Sequence, residues 1–122
     1  MVVIFLDTYA MIELFEGNGD YLPYKDMSFV TTRVNLLEFY YVVLSKYGRE
    51  KAELVFEKYK SIAKEADNTV LKAAALFKLE FKKKRFSFAD CVGYKYAESI
   101  GAKFLTGDEA FRNFSSIVEF VK

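Results

Sequence analysis

Four acidic residues draw attention by their settings. Asp7 ends the apolar run Val2 to Leu6. Glu38 lies inside the segment VNLLEFYYVVL, among apolar neighbours. Asp90 follows Ser87 by three positions, and Asp108 follows Thr106-Gly107 after a second apolar run, Ala102 to Leu105. Carboxylates are hard oxygen donors suited to Mg2+ or Mn2+. Two such ions held by shared carboxylates can activate water, orient a phosphate and stabilise a leaving oxygen. The chain has no histidine and one cysteine, Cys91. That removes histidine general bases, Ser-His-Asp triads, Cys-His dyads and most zinc sites. Any metal chemistry must therefore rest on carboxylates.

Each acid also has a purely structural reading. Asp7 could cap a helix beginning at Thr8, and Asp108 a short helix after Gly107. Ser87 and Asp90 have capping-box spacing, as do Thr106 and Glu109. Glu38 could reach solvent, or pair with Arg33 or Lys46. It is the hardest to explain structurally, because an apolar helix should have little solvated face and an unpaired buried carboxylate is costly.

The elements that must position these acids alternate between two periodicities. Val2 to Leu6 reads as a strand buried on both faces. Thr8 to Glu16 reads as a helix, broken at Gly17-Asn18-Gly19-Asp20. Ser28 to Thr31 is a second short strand. Thr31 or Thr32 caps a helix that runs to about Tyr47 and stops at Gly48. A further helix spans Arg49 to about Ile62, and Ile62 to Ala66 is either irregular or a short third strand. Asp67 or Asn68 caps a helix through about Lys83. Ser87 starts a helix reaching Ser99, Ala102 to Leu105 is a strand, Glu109 to Phe114 a helical turn, and Ile117 to Val121 a last strand. Strands separated by helices imply parallel crossovers and a three-layer α/β/α sandwich with a mostly parallel central sheet. Ligands bind such sheets at the carboxyl ends of the strands, where Asp7 and Asp108 fall.

At 122 residues, one domain over 1–122 is expected. A hydrophobic content of 52% excludes a disordered chain. With 13 Phe and 9 Tyr, the core should be largely aromatic and aliphatic. No apolar run approaches the ~20 residues needed to span a bilayer, and MVVIFLD reads as a strand, not a signal peptide. Cys91 sits in an apolar helical context and reads as a small buried residue. With 18 basic and 17 acidic residues, overall charge neither favours nor excludes nucleic acid. The run Lys82, Lys83, Lys84, Arg85 is either a solvated helix end that complements the helix dipole or a phosphate-contacting patch.

In order and spacing these segments resemble the PIN-domain family, particularly the VapC-type toxins of toxin–antitoxin pairs. VVIFLDT matches the opening strand that ends in Asp and a small hydroxyl residue. TTRVNLLEFYYVVL supplies the acid inside an apolar helix, FSFADCVGYKYAESIGA the later Asp, and AKFLTGDEAF the closing strand, Thr and Asp before an aromatic. Cys91-Val92-Gly93 departs from the family's alanine-rich stretch without touching an acid. The resemblance implies a Mg2+- or Mn2+-dependent endoribonuclease in the cytoplasm, a homodimer and a small cognate antitoxin. It implies Asp7, Glu38 and Asp90 as metal ligands, with Asp108 completing the set and Thr106 orienting water or the acids. Arg33 and Lys82 to Arg85 are candidates for RNA contact, and Tyr40 and Tyr41 for base stacking, core or dimer packing. Two other readings compete. A haloacid-dehalogenase-type phosphatase would need Asp-x-Asp, and Asp7-Thr8-Tyr9 lacks the second Asp. A non-catalytic PIN-fold binding module would have no need for four acids.

Overall fold

The computed structural model describes residues 2–122. The opening apolar run forms β1 (Val3–Leu6), and Asp7 caps α1 (Thr8–Glu16). A tight 3-10 segment, Gly19–Tyr24, fills the loop before β2 (Ser28–Thr32). Thr32 caps α2 (Arg33–Tyr47), accepting from the Asn35 N–H at 3.1 Å, and Gly48 ends it. The helix expected to Ile62 ends earlier, as α3 (Arg49–Tyr59), followed by a 3-10 turn, Lys60–Ile62. The ambiguous segment after it is a short strand, β3 (Ala63–Lys64). Asp67 caps α4 (Asn68–Glu80).

The helix expected to reach Lys83 also stops early. Phe81 leaves helical geometry and packs its ring against Phe77 and Phe114, at 4.9 and 5.0 Å between centroids. Burying that ring turns the chain, so Lys82–Lys84 form a separate 3-10 turn. Arg85 closes the turn at φ 59, the one non-glycine residue with positive φ among the described residues. Beyond it, a Ser87–Asp90 capping box opens α5 (Phe88–Ile100), then come β4 (Lys103–Thr106), a 3-10 turn (Glu109–Phe111) and β5 (Val118–Phe120).

The strands form one five-stranded sheet in the order β3-β2-β1-β4-β5, with every pairing parallel. Alternation along β1 sends Ile4 and Leu6 to one face and Phe5 to the other. On the first face, Leu36, Phe39, Val55 and Tyr59 from α2 and α3 cover the sheet together with Met11 of α1. On the second, Phe77 of α4 and Tyr94 of α5 join Phe86, Phe104 and Phe111 in a nearly continuous aromatic layer. Cys91 is buried here, and burial pushes its thiol up to about 11, too high for a nucleophile.

The chain runs outward from β1 to β2 and β3, then returns to place β4 on β1's other side. The switch point between β1 and β4 is where an open parallel sheet leaves a crevice at its carboxyl edge. No described helix is long and apolar enough to cross a membrane.

Candidate active site

The buried polar and charged residues among those described are Asp7, Thr8, Thr31, Thr32, Asn35 and Thr106. All belong to the carboxyl ends of β1, β2 and β4 or to the first turns of the helices that leave them. Polar burial in this molecule is thus concentrated at one edge of the sheet. The groups are mutually satisfied. The Thr31 hydroxyl donates to the Leu6 carbonyl at 2.7 Å, and Thr32 donates to the Asn35 side-chain oxygen at 2.6 Å. Asn35 Nδ2 donates to the Thr8 hydroxyl at 3.3 Å. This network braces the turn that carries Asp7.

Asp7 is almost fully buried, at 1% exposure. Its Oδ1 accepts the Ala10 N–H at 2.8 Å, so the capping reading holds for one of its oxygens. Burial pushes the carboxyl well above its ordinary value; hydrogen bonds from Thr106 and the Ala10 amide oppose this, and the negative charges of Asp90 and Asp108 add to it. Thr106 is fully buried and bridges two acids: besides its bond to Asp7, its hydroxyl accepts the Asp108 N–H at 3.0 Å.

Asp90 and Asp108 are half-buried and also cap. Asp90 Oδ2 accepts the Ser87 N–H at 2.8 Å, and Ser87 Oγ accepts the Asp90 N–H at 3.0 Å. Asp108 Oδ1 accepts the Ala110 N–H at 3.0 Å. The Thr106–Glu109 box expected as an alternative does not form, because the Thr106 hydroxyl takes the Asp108 amide and Glu109 pairs with Arg112 and Lys122. The Asp90 carboxyl is pushed up to about 6, first by burial and then by the charges of Glu38 and Asp108, against the hydrogen bonds from Ser87.

Glu38 sits differently from its sequence expectation. The helix that carries it has a broad solvated face: Leu37 and Tyr41 are each 66% exposed, and Glu38 is half-buried between them. Neither suggested partner engages it. Arg33 pairs with Glu65 at 3.4 Å, and Lys46 with Glu16 at 2.9 Å. Packing of α2 against α5 brings Glu38 within electrostatic reach of Asp90.

The four carboxylates feel one another pairwise: Asp90 the charges of Glu38 and Asp108, and Asp7 those of Asp90 and Asp108. No lysine or arginine pairs with any of them among the described residues. The all-oxygen donor set, which includes the buried carboxylate of Asp7, suits a hard divalent cation. It is not a finished cage, since no group of three acidic or cysteine side chains among the described residues is gathered tightly enough to hold an ion. Mutual repulsion among carboxylates opposes such gathering without a cation.

Sequence reasoning missed Asn35, Thr31 and Thr32 as supports of the site. The available signal was an amide inside an otherwise apolar helical segment, where its side chain must find a buried partner. Tyr40, suggested for stacking or packing, is held by Glu53 and the Phe56 ring. A hollow of about 660 Å3 lies between α2 and α3, lined by Arg33, Leu37, Tyr40, Glu53 and Phe56 and by none of the four acids.

A search of curated proteins by sequence returns no match. Among solved structures, a Mycobacterium tuberculosis toxin described as VapC20, sarcin-ricin loop cleaving, superposes with a TM-score of 0.77 at 15% identity, over 97% of this chain and 96% of that one. The DNA-bound VapBC of Salmonella typhimurium gives 0.72 at 18% identity, covering 98% of each chain. VapBC-5 of Mycobacterium tuberculosis gives 0.69 at 18% identity, covering 100% of this chain and 99% of that one. At these identities the likeness is one of fold. The sequence itself matches the PIN domain family over residues 4–116, so this chain belongs to the PIN domain family.

Proposed function

We propose that this protein is a metal-dependent endoribonuclease, the toxin of a VapBC-like toxin–antitoxin pair, acting in the cytoplasm. The observation that supports the reading is a set of four carboxylates without cationic partners, three of them at the sheet's carboxyl edge and the fourth, Glu38, on α2 within reach of Asp90's charge. RNA as substrate is supported by family membership and by the cleaving toxin among the structural neighbours. A small antitoxin partner is supported by neighbours crystallised as toxin–antitoxin complexes. A homodimer completes the proposal.

Asp7, Glu38, Asp90 and Asp108 would hold Mg2+ or Mn2+. When bound, such ions supply a water nucleophile at neutral pH and charge stabilisation at the phosphate. The chain's own part is positional. The Ala10 amide and the Thr106 side chain hold the Asp7 carboxylate, and the Ser87 amide fixes one oxygen of Asp90. Thr106 ties Asp7 to the backbone of Asp108, so those two acids keep a fixed relation. Asp90, poised near 6, can exchange a proton close to neutral pH when no cation is bound.

The test is incubation of purified protein with RNA. Cutting should occur with Mg2+ or Mn2+, stop with excess chelator, and disappear in folded Asp90→Asn. Cutting that survives chelation overturns the metal mechanism.

A further inference from the structure

Beside the acids lies a surface that the cleavage reading does not use. Phe88, the first residue of α5, is 66% exposed although it stands two positions from Asp90. It lines a hollow of about 410 Å3 together with Leu37, Tyr41 and Glu38. Tyr41 is also 66% exposed. Two exposed aromatic side chains thus line the same hollow as a candidate catalytic carboxylate. On its other side Phe88 lines a second hollow with Lys78, Leu79 and Lys82, and the Lys78 ammonium lies 4.9 Å from the Phe88 ring centroid. Lys82 in turn borders a third hollow with Lys83, Lys84, Phe81 and one acid, Glu80. The three are joined through shared residues and run from Glu38 over Phe88 to the basic turn.

The charge on this track is unusual for the molecule. Lys82, Lys83, Lys84 and Arg85 are all exposed, and none makes an ion pair among the described residues. Lys84 is steadied over the Phe114 ring at 5.8 Å. The turn is also pinned in place: Lys78 Nζ donates to the Phe86 carbonyl, and the Lys84 N–H donates to the Phe81 carbonyl at 2.9 Å. The four cations are therefore displayed at a set position, the last of them two residues before Ser87, where the Asp90 capping turn closes.

We infer that Phe88 and Tyr41 form a base-stacking subsite next to Glu38, and that the Lys82–Arg85 turn grips phosphates farther along the same single-stranded RNA. Alternating aromatic faces and unpaired cations are what single strands need: every base offers a π face and every linkage a negative charge. Charge complementarity favours this occupant over a second protein surface, which would need acids facing four adjacent cations. The cations also offset the repulsion between a polyanion and the acid cluster. The inference rests on the nuclease reading but has its own test.

That test is binding of an end-labelled oligouridylate of about 12 nucleotides, measured in chelator so that no cleavage intervenes. Phe88→Ala should weaken binding about tenfold with little change in salt dependence. Phe88→Leu should be equally weak, because leucine keeps the apolar surface and loses the ring. Replacing Lys82, Lys83 and Lys84 together by Gln should lower the slope of log affinity against log salt by about 2. These side chains are exposed, so circular dichroism should be unchanged. Wild type that fails to bind at low salt overturns the track, and so does Phe88→Leu that binds like wild type. A Phe88→Ala protein that turns from dimer to monomer with RNA affinity intact makes the face a protein interface and also overturns it. RNA binding with the expected variant pattern but no cutting in metal would instead remove the nuclease reading and leave the track standing.

Discussion

Capping and metal binding are compatible uses of one carboxylate, because its two oxygens together offer about four lone pairs. Asp→Asn substitution separates them, since asparagine is an equally good cap without the charge. In chelator, Asp7→Asn and Asp90→Asn should both melt higher than wild type, because each removes a raised, repelled carboxylate. Both should lose cleavage and the stabilisation that metal gives wild type. Equal metal responses in wild type and Asp90→Asn would leave only the caps. The same groups set a pH dependence. The folded Asp90 carboxyl ionises near 6 against an ordinary 3.8, so between those values the folded state holds more protons than the unfolded. The metal-free protein should therefore lose stability as pH rises from about 4 through about 6, with Asp7 adding in the same direction. Denaturant melts across that range check it; stability rising with pH there would contradict the acid environment described. Gly107 gives a third residue-scale prediction. A Cβ there would lie 2.3 Å from the Val121 carbonyl oxygen and 2.4 Å from the Tyr9 ring. Gly107→Ala must therefore move the Thr106–Asp108 turn. Cleavage should fall about 100-fold, with a stability loss of about 1–3 kcal/mol. A variant that cuts at the wild-type rate would show that Asp108's placement is unimportant.

Among the elements, α5 carries the most constrained fit. Gly93 lies inside the helix, where alanine ordinarily gains about 1 kcal/mol. Here a Cβ would lie 2.8 Å from Asn35 Oδ1 and 3.0 Å from the Phe5 ring. Neither neighbour can yield freely: Asn35 is tied to Thr32 and Thr8, and Phe5 stacks on Phe104 in the sheet's aromatic layer. Gly93→Ala should therefore destabilise the fold by about 1–2 kcal/mol net, read from a denaturation midpoint. A stabilised variant would mean that α5 can shift on α2 at little cost. The glycine that looks like a departure from an alanine-rich family stretch thus lets α5 approach α2 closely, which is also what brings Asp90 toward Glu38.

For the molecule as a whole, the proposed metal site predicts a stability that depends on metal. At a concentration about 100 times its Kd, Mg2+ or Mn2+ should add about 2.7 kcal/mol, a rise in Tm of about 10 °C for a chain of this size. Thermal melts with and without metal test this, and an unchanged Tm in metal would remove the proposed site. The surface also leaves Leu54 of α3 and Leu76 of α4 more than half exposed. Such apolar exposure agrees with the proposed assembly, and light scattering that finds only monomer at high concentration would contradict the homodimer.

Much of the fold was legible in the sequence because periodicity and punctuation are local. Apolar runs of four to five residues gave strands, spacing of three and four gave helices, and Thr32, Asp67, Ser87, Gly48 and Gly101 marked helix ends. The candidate acids were legible because each lies beside a strand end, a helix start or an apolar stretch. Other features depended on contacts between distant segments. Phe81 turned inward onto Phe114, thirty-odd residues away, and that contact ended α4 and set the basic turn apart. The solvated face of α2 was misjudged because an apolar composition does not say which side of a helix meets the core; the sheet and α3 decided it. Asn35 looked like one more neighbour of Glu38 until β2, α1 and α5 closed around it. Residue types and their local rhythm determined which groups were available and in what order. Tertiary packing decided which oxygens share a space, because burial, mutual repulsion and the approach of α5 to α2 exist only once the sheet has brought its strands side by side.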